Sequence, residues 1–197
     1  MARDPMATDP PLPLRPSGPA RLAVTLGAIA AAAGLQGCAA PLAPESFDTT
    51  APRLDPMAFF AGQTHSWGVV ETPGGAPATH LEVQGQGSIE PDGSLRLVQT
   101  IHKGSKTTVR TWRFHRVDAH HYQGSLTDAA GPVRGETWGG LLHIRYAMKG
   151  PPGLTMEQWL YLQADGRELV NEDVVRFLGV PVARISELIT HEASPAP

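Results

Sequence analysis

The chain has 197 residues, 41% of them hydrophobic and 18% charged, with a net charge of −3 and a single cysteine. One cysteine cannot close an internal disulfide, so a disulfide-stapled scaffold is excluded, and the ordinary hydrophobic content is that of one folded domain. No run of basic residues interrupts the mild acidity, which removes the electrostatic footprint of a nucleic-acid binder.

Arg15 and Arg21 precede LAVTLGAIAAAAGLQG, a charge-free stretch from Leu22 to Gly37. A basic segment followed by an apolar one fits an export signal. The stretch is 16 residues long, short of the ~20 needed to span the hydrocarbon of a bilayer, so a permanent transmembrane helix is the weaker reading. Leu35-Gln36-Gly37-Cys38 resembles the lipobox of bacterial lipoproteins, with leucine three places before the cysteine and a small residue directly before it. The resemblance implies residues 1–37 as a signal peptide with a long leader, cleavage between Gly37 and Cys38, and lipid attachment at the Cys38 sulfur. The partner so implied is a membrane of the cell envelope. In that family Ala39, rather than an aspartate, after the cysteine favours the periplasmic face of the outer membrane. One acyl chain anchors a protein only marginally, so two or three chains are needed for a stable hold. Residues 38–53, rich in Pro, Ala, Ser and Thr without periodicity, predict a lipidated flexible tether.

From residue 54 the pattern changes. Asp55-Pro56 predicts an N-cap with proline at the first helical position, and a short helix ending by Gly62. Turn signals then recur at Pro73-Gly74-Gly75, Pro91-Asp92-Gly93, Gly104-Ser105, Gly131-Pro132, Gly139-Gly140, Gly150-Pro151-Pro152-Gly153 and Asp165-Gly166, as in antiparallel all-β proteins. Between them, Leu95, Leu97 and Ile101 share one face of a strand, and Leu142, Ile144, Tyr146 and Met148 share another. Two segments carry apolar residues on both faces: Trp112 and Phe114 oppose Val109 and Val117, and Trp159 and Tyr161 oppose Leu160 and Leu162. Glu168 to Leu178 fits a helical period as well as a strand, and strand is preferred, with Gly179-Val180-Pro181 as a bend. Residues 54–192 are thus expected to form an all-β antiparallel barrel of about eight to ten strands, a number that commonly closes to remove its edges. Eight strands already leave room for one small ligand. Residues 193–197 are expected as a disordered tail.

Motifs that carry chemistry are sparse. There is no nucleophile elbow and no phosphate loop, and Gly85-Gln86-Gly87 lacks the third glycine of a dinucleotide site. His102, His115 and His120-His121 lack metal-ligand spacing, so neither a metal nor a cofactor is expected, and no catalytic residue is assigned. Glu136, Glu157, Glu172 and Asp173 are carboxylates whose convergence the sequence does not show. Trp67, Trp112, Trp138 and Trp159, with Tyr161, are candidates to line an apolar ligand pocket, against the plainer reading as core packing. Arg110 is the candidate partner for an anionic headgroup.

With these residues placed, the segment resembles a family of bacterial lipoproteins classed as a domain of unknown function. The resemblance is carried by Phe59-Phe60-Ala61-Gly62, Trp67-Gly68, Trp112, Tyr122-Gln123-Gly124, Gly135, Glu157-Gln158-Trp159-Leu160-Tyr161-Leu162, Leu169-Val170-Asn171 and Gly179. It implies a lipocalin-like, calycin-type barrel and no established activity. Gln158 stands where that family has the second of two acids, and Glu172 where it has a base. The leading expectation is a membrane-anchored periplasmic barrel that binds or shuttles a hydrophobic molecule, a fatty acyl chain or a lipid. A non-catalytic module binding a protein partner and a lipid-modifying enzyme are the alternatives.

Overall fold

The computed structural model describes residues 43–192, and Gly37, Cys38 and the 193–197 tail lie outside them. Ten strands follow one another: β1 (Gly62–Glu71), β2 (Pro77–Ile89), β3 (Leu95–Lys103), β4 (Lys106–Arg116), β5 (His121–Leu126), β6 (Val133–Trp138), β7 (Leu141–Ala147), β8 (Leu154–Leu162), β9 (Glu168–Phe177) and β10 (Val180–Glu192). Each pairs antiparallel with its neighbour in sequence, and β10 returns to β1 to close the barrel. An up-and-down meander can close antiparallel only with an even number of strands, and closure leaves no edge exposed. The fold is an all-β, lipocalin-like barrel of the calycin type.

Strand alternation sets the inside. Leu95 and Leu97 on β3, Trp112 and Phe114 on β4, and Leu142 and Ile144 on β7 belong to one buried core. The doubtful face of β4 is resolved by this: Trp112 and Phe114 point in, while Val109 and Val117 are exposed. Residues 168–177 are strand, and the turn that follows falls at Leu178-Gly179, with Val180 and Pro181 already in β10.

One end of the barrel is plugged. α1 (Pro56–Phe59) is capped by Asp55, whose carboxylate accepts from the Met57 and Ala58 amides. It turns Pro56, Phe59 and Phe60 into the barrel, where all three are buried. His191 Nδ1 lies 2.8 Å from the Phe59 carbonyl oxygen, and Arg116 pairs with Asp55 at 2.9 Å, fastening the plug to β10 and β4. Gly87 on β2 faces this plug, and a Cβ there would collide with the Phe60 carbonyl. At the opposite end, Thr108 is exposed and Val70, Ile101, Val175 and Ile185 are half-buried at positions that alternation turns inward. That end is the mouth.

The described part of the expected tether is not free. Residues 43–53 run along the outer wall as a strap that starts with a 3-10 turn, Pro44–Phe47. The Phe47 ring packs on Tyr161 at 5.8 Å, the Gly140 amide donates to Thr50 Oγ1 at 2.9 Å, and Leu54 donates to the Gly139 carbonyl at 2.8 Å. Leu141 is fully buried on this outward face. Such irregular backbone has no period, so composition alone reads it as linker.

Candidate ligand cavity

The interior cavity is built on the inward faces of β3, β4, β7, β8, β9 and β10 and floored by the plug. Leu95, Leu97, Phe114, Leu142, Ile144 and Leu160 form much of its apolar wall, with Pro56 and Phe60 beneath. Toward the mouth the wall turns polar: Gln99, Arg110, Gln158, Asn171 and Glu187 line it. Each occupies a position in phase with apolar neighbours on its own strand, as Gln99 does between Leu97 and Ile101. The result is a belt of hydrogen-bonding groups at mid-height.

The belt is largely paired with itself. Gln99 Oε1 accepts from both Trp112 Nε1 and Arg110 Nε at 2.7 Å. Glu187 accepts from Ser66 and, at 3.1 Å, from Asn171 Nδ2. Gln158 Nε2 donates to Asp173 Oδ2 at 3.1 Å. Asp173 is buried, and burial together with the nearby Glu187 charge pushes its carboxyl up to about 8, so the carboxyl keeps its proton at neutral pH. Burial likewise pushes the Tyr146 phenol up to about 12. Asp173 Oδ1 and Asn171 Oδ1 are buried without a partner. The Arg110 guanidinium lies 5.4 Å from the Trp112 ring centre and takes part in no ion pair among the described residues.

The cavity is tight. It leaves ≈ 50 Å³ for the centres of water molecules, where one water needs about 10–15 Å³. A few waters fit as the side chains stand. An acyl chain enters only if the wall or the plug moves.

Of the residues expected to line a pocket, Trp112 and Arg110 do so. Trp67, Trp138, Trp159 and Tyr161 are carried outward by strand alternation, and the interior surface is corrected accordingly. Trp67 is 53% exposed beside the His65 ring. Trp138 stacks on His120 at 3.9 Å, Trp159 stacks on His143 at 4.0 Å, and Tyr161 lies under the strap. These rings pack the outer wall rather than the cavity.

That outer wall holds a second cluster that the sequence did not indicate. His143 faces Glu136 through Nδ1 at 3.2 Å and Glu157 through Nε2 at 3.0 Å, and its side chain is 2% exposed. Arg176 pairs with Glu157 at 2.6 Å and Arg145 with Glu136 at 3.5 Å. With both ring nitrogens engaged and the ring covered by Trp159, the imidazole has no free atom to offer a reactant. It ties β6, β7, β8 and β9 together from outside. Glu172, grouped with these carboxylates in the sequence, is exposed, and Asp173 lies inside the barrel. Among the described residues no group of three or more His, Cys, Asp or Glu side chains is placed to hold a metal.

The family described as protein of unknown function (DUF3833) matches residues 32–191. The chain belongs to the DUF3833 family. No curated protein matches it in sequence. Two solved structures illustrate the likeness of fold. An S-type phycobiliprotein lyase from Guillardia theta is 8% identical with a TM-score of 0.57, over 79% of this chain and 100% of that one. A protein of unknown function from the DUF3598 family of Nostoc punctiforme is 13% identical with a TM-score of 0.53, over 72% of this chain and 50% of that one. At such identities the likeness is one of fold.

Proposed function

We propose that this barrel binds a small amphiphile, a fatty acyl chain or a related lipid, with its tail among the apolar residues above the plug and an anionic head at Arg110. The observation that carries this reading is the pairing of an apolar floor and wall with one guanidinium that holds no carboxylate. A planar guanidinium is suited to forking onto a carboxylate or phosphate. The polar belt then serves as the level at which the head stops. The reading is extended by the lipobox resemblance at Cys38: lipid attached there holds the barrel in the cell envelope, close to its ligand.

The test is native mass spectrometry of the purified protein with identification of small molecules released on denaturation, followed by titration with a fluorescent fatty acid. Arg110→Ala is expected to weaken the carboxylate form about 10- to 100-fold, the worth of a charge-assisted hydrogen bond of roughly 1.5–3 kcal/mol. The matching fatty alcohol should be nearly unaffected. Failure of the carboxylate to bind, or equal losses for acid and alcohol, would overturn the assignment of Arg110.

A further inference from the structure

The chain has only three lysines, Lys103, Lys106 and Lys149. All three are exposed and flank turns at one end of the barrel, the mouth: the β3–β4 turn carries two and the β7–β8 turn the third. None takes part in an ion pair among the described residues. Asp128 in the β5–β6 turn is the one acid in the mouth turns, whereas the turns of the plugged end carry Glu90, Asp92, Asp118 and Asp165 against Arg167.

The same mouth bears the longest exposed apolar run of the described residues. Phe177, Leu178, Val180 and Val182, at the β9–β10 hairpin, are 38%, 72%, 64% and 42% exposed. The tip is braced rather than loose. Leu178 sits at φ 49, its amide donates to the Gly153 carbonyl at 2.9 Å, and its side chain rests where a Cβ on Gly153 would be. A non-glycine residue in the left-handed region is uncommon, and for a bulky side chain it needs a surrounding structure that fixes it. Here that structure presents the leucine to solvent on the rim where the β7–β8 turn carries Lys149.

We infer that the mouth docks on a bilayer surface with anionic headgroups, the Phe177–Val182 hairpin entering the interface while Lys103, Lys106 and Lys149 meet the headgroup charge. Exposed apolar side chains on one rim with unpaired ammonium groups match both layers of such a surface: the former exchange water for acyl boundary, the latter gain from a negative surface potential. The acidic turns at the plugged end oppose the reverse orientation. An acidic protein partner would meet the lysines but would leave the selectivity for lipid described below absent. Docking by this rim is separate from ligand binding inside the barrel and requires no occupant there.

The experiment uses the full chain carrying Cys38→Ser, which removes the acyl anchor and frees the sequence of cysteine; residues 22–37 stay on this chain and bring it to vesicles of any charge, so the readout is the label at the mouth and not association as such. Leu178→Cys is labelled with an environment-sensitive fluorophore, with Asp92→Cys at the plugged end as the paired control. Val180→Cys replaces the first site should that variant not fold. On phosphatidylglycerol vesicles the mouth label is expected to brighten and shift to the blue, the Asp92→Cys label to stay unchanged, and phosphatidylcholine vesicles to give little response. Replacing all three lysines by glutamine should abolish most of the difference in the mouth label's response between phosphatidylglycerol and phosphatidylcholine vesicles at low salt, each basic residue being worth roughly fivefold. Equal responses on neutral vesicles, equal responses from both labels, or a mouth label that stays unchanged on phosphatidylglycerol would each overturn the inference. Fatty-acid titration is done without vesicles, so either reading can fail alone.

Discussion

Asp173 shows how one buried side chain sets the pH range of a fold. Its carboxyl titrates near 3.8 in an unstructured chain and is pushed up to about 8 here by burial and by Glu187. The folded state therefore holds a proton that the unfolded state has released between those values. The stabilisation from that retained proton is complete below about pH 4 and is lost as pH rises toward 8. Melting temperature is expected to fall from pH 5 to pH 8.5, and Asp173→Asn, which keeps a neutral polar group beside Gln158, should flatten that slope. A slope that Asp173→Asn leaves unchanged would place its origin elsewhere. Arg110 acts at the same level of the barrel and in the same field, lowering the Asp173 carboxyl in partial opposition to Glu187.

Among the elements, α1 and β2 are matched to each other through a missing side chain. Gly87 has no Cβ where the Phe60 carbonyl comes closest. Gly87→Ala is expected to push the plug off its seat and lower stability by about 1–3 kcal/mol, the usual cost of overpacking a filled site, read as a lower denaturant midpoint. The helical plug was legible in Asp55-Pro56, because capping is local chemistry. So were β3 and β7, whose outer positions are polar enough for the period of two to stand out. β8 was ambiguous because its outer face is covered: Trp159 by the His143 cluster and Tyr161 by the strap. A strand with both faces packed carries no alternation to read. β4 was ambiguous for the opposite reason, since Val109 and Val117 are apolar yet solvated.

At the scale of the molecule, the number of strands and the sign of the sheet were readable from turn spacing, and the inside was not. Whether Gln99 meets Arg110 depends on the β3–β4 register, and Asn171 meets Glu187 only because β9 and β10 pair with those residues opposite each other. Polar residues in phase with an apolar face were the available signal for the belt. Tryptophans drew attention instead, and three of the four face outward. The proposed address also belongs to the whole chain. Replacing Cys38 with serine is expected to leave the precursor uncut and without acyl chains, seen as a larger band by immunoblot and as loss of incorporated radiolabelled fatty acid. Unchanged size and unchanged label incorporation would refute the anchor.

The small volume inside the barrel has a kinetic meaning. The proposed guest, larger than a few waters, fits only once the walls part or α1 lifts. Where that opening is the slow step, the observed uptake rate is expected to level off as guest concentration rises, read by stopped-flow fluorescence. Release would pass through the same opening, so the proposed guest would be held for times set by the wall and plug as well as by the strength of its contacts.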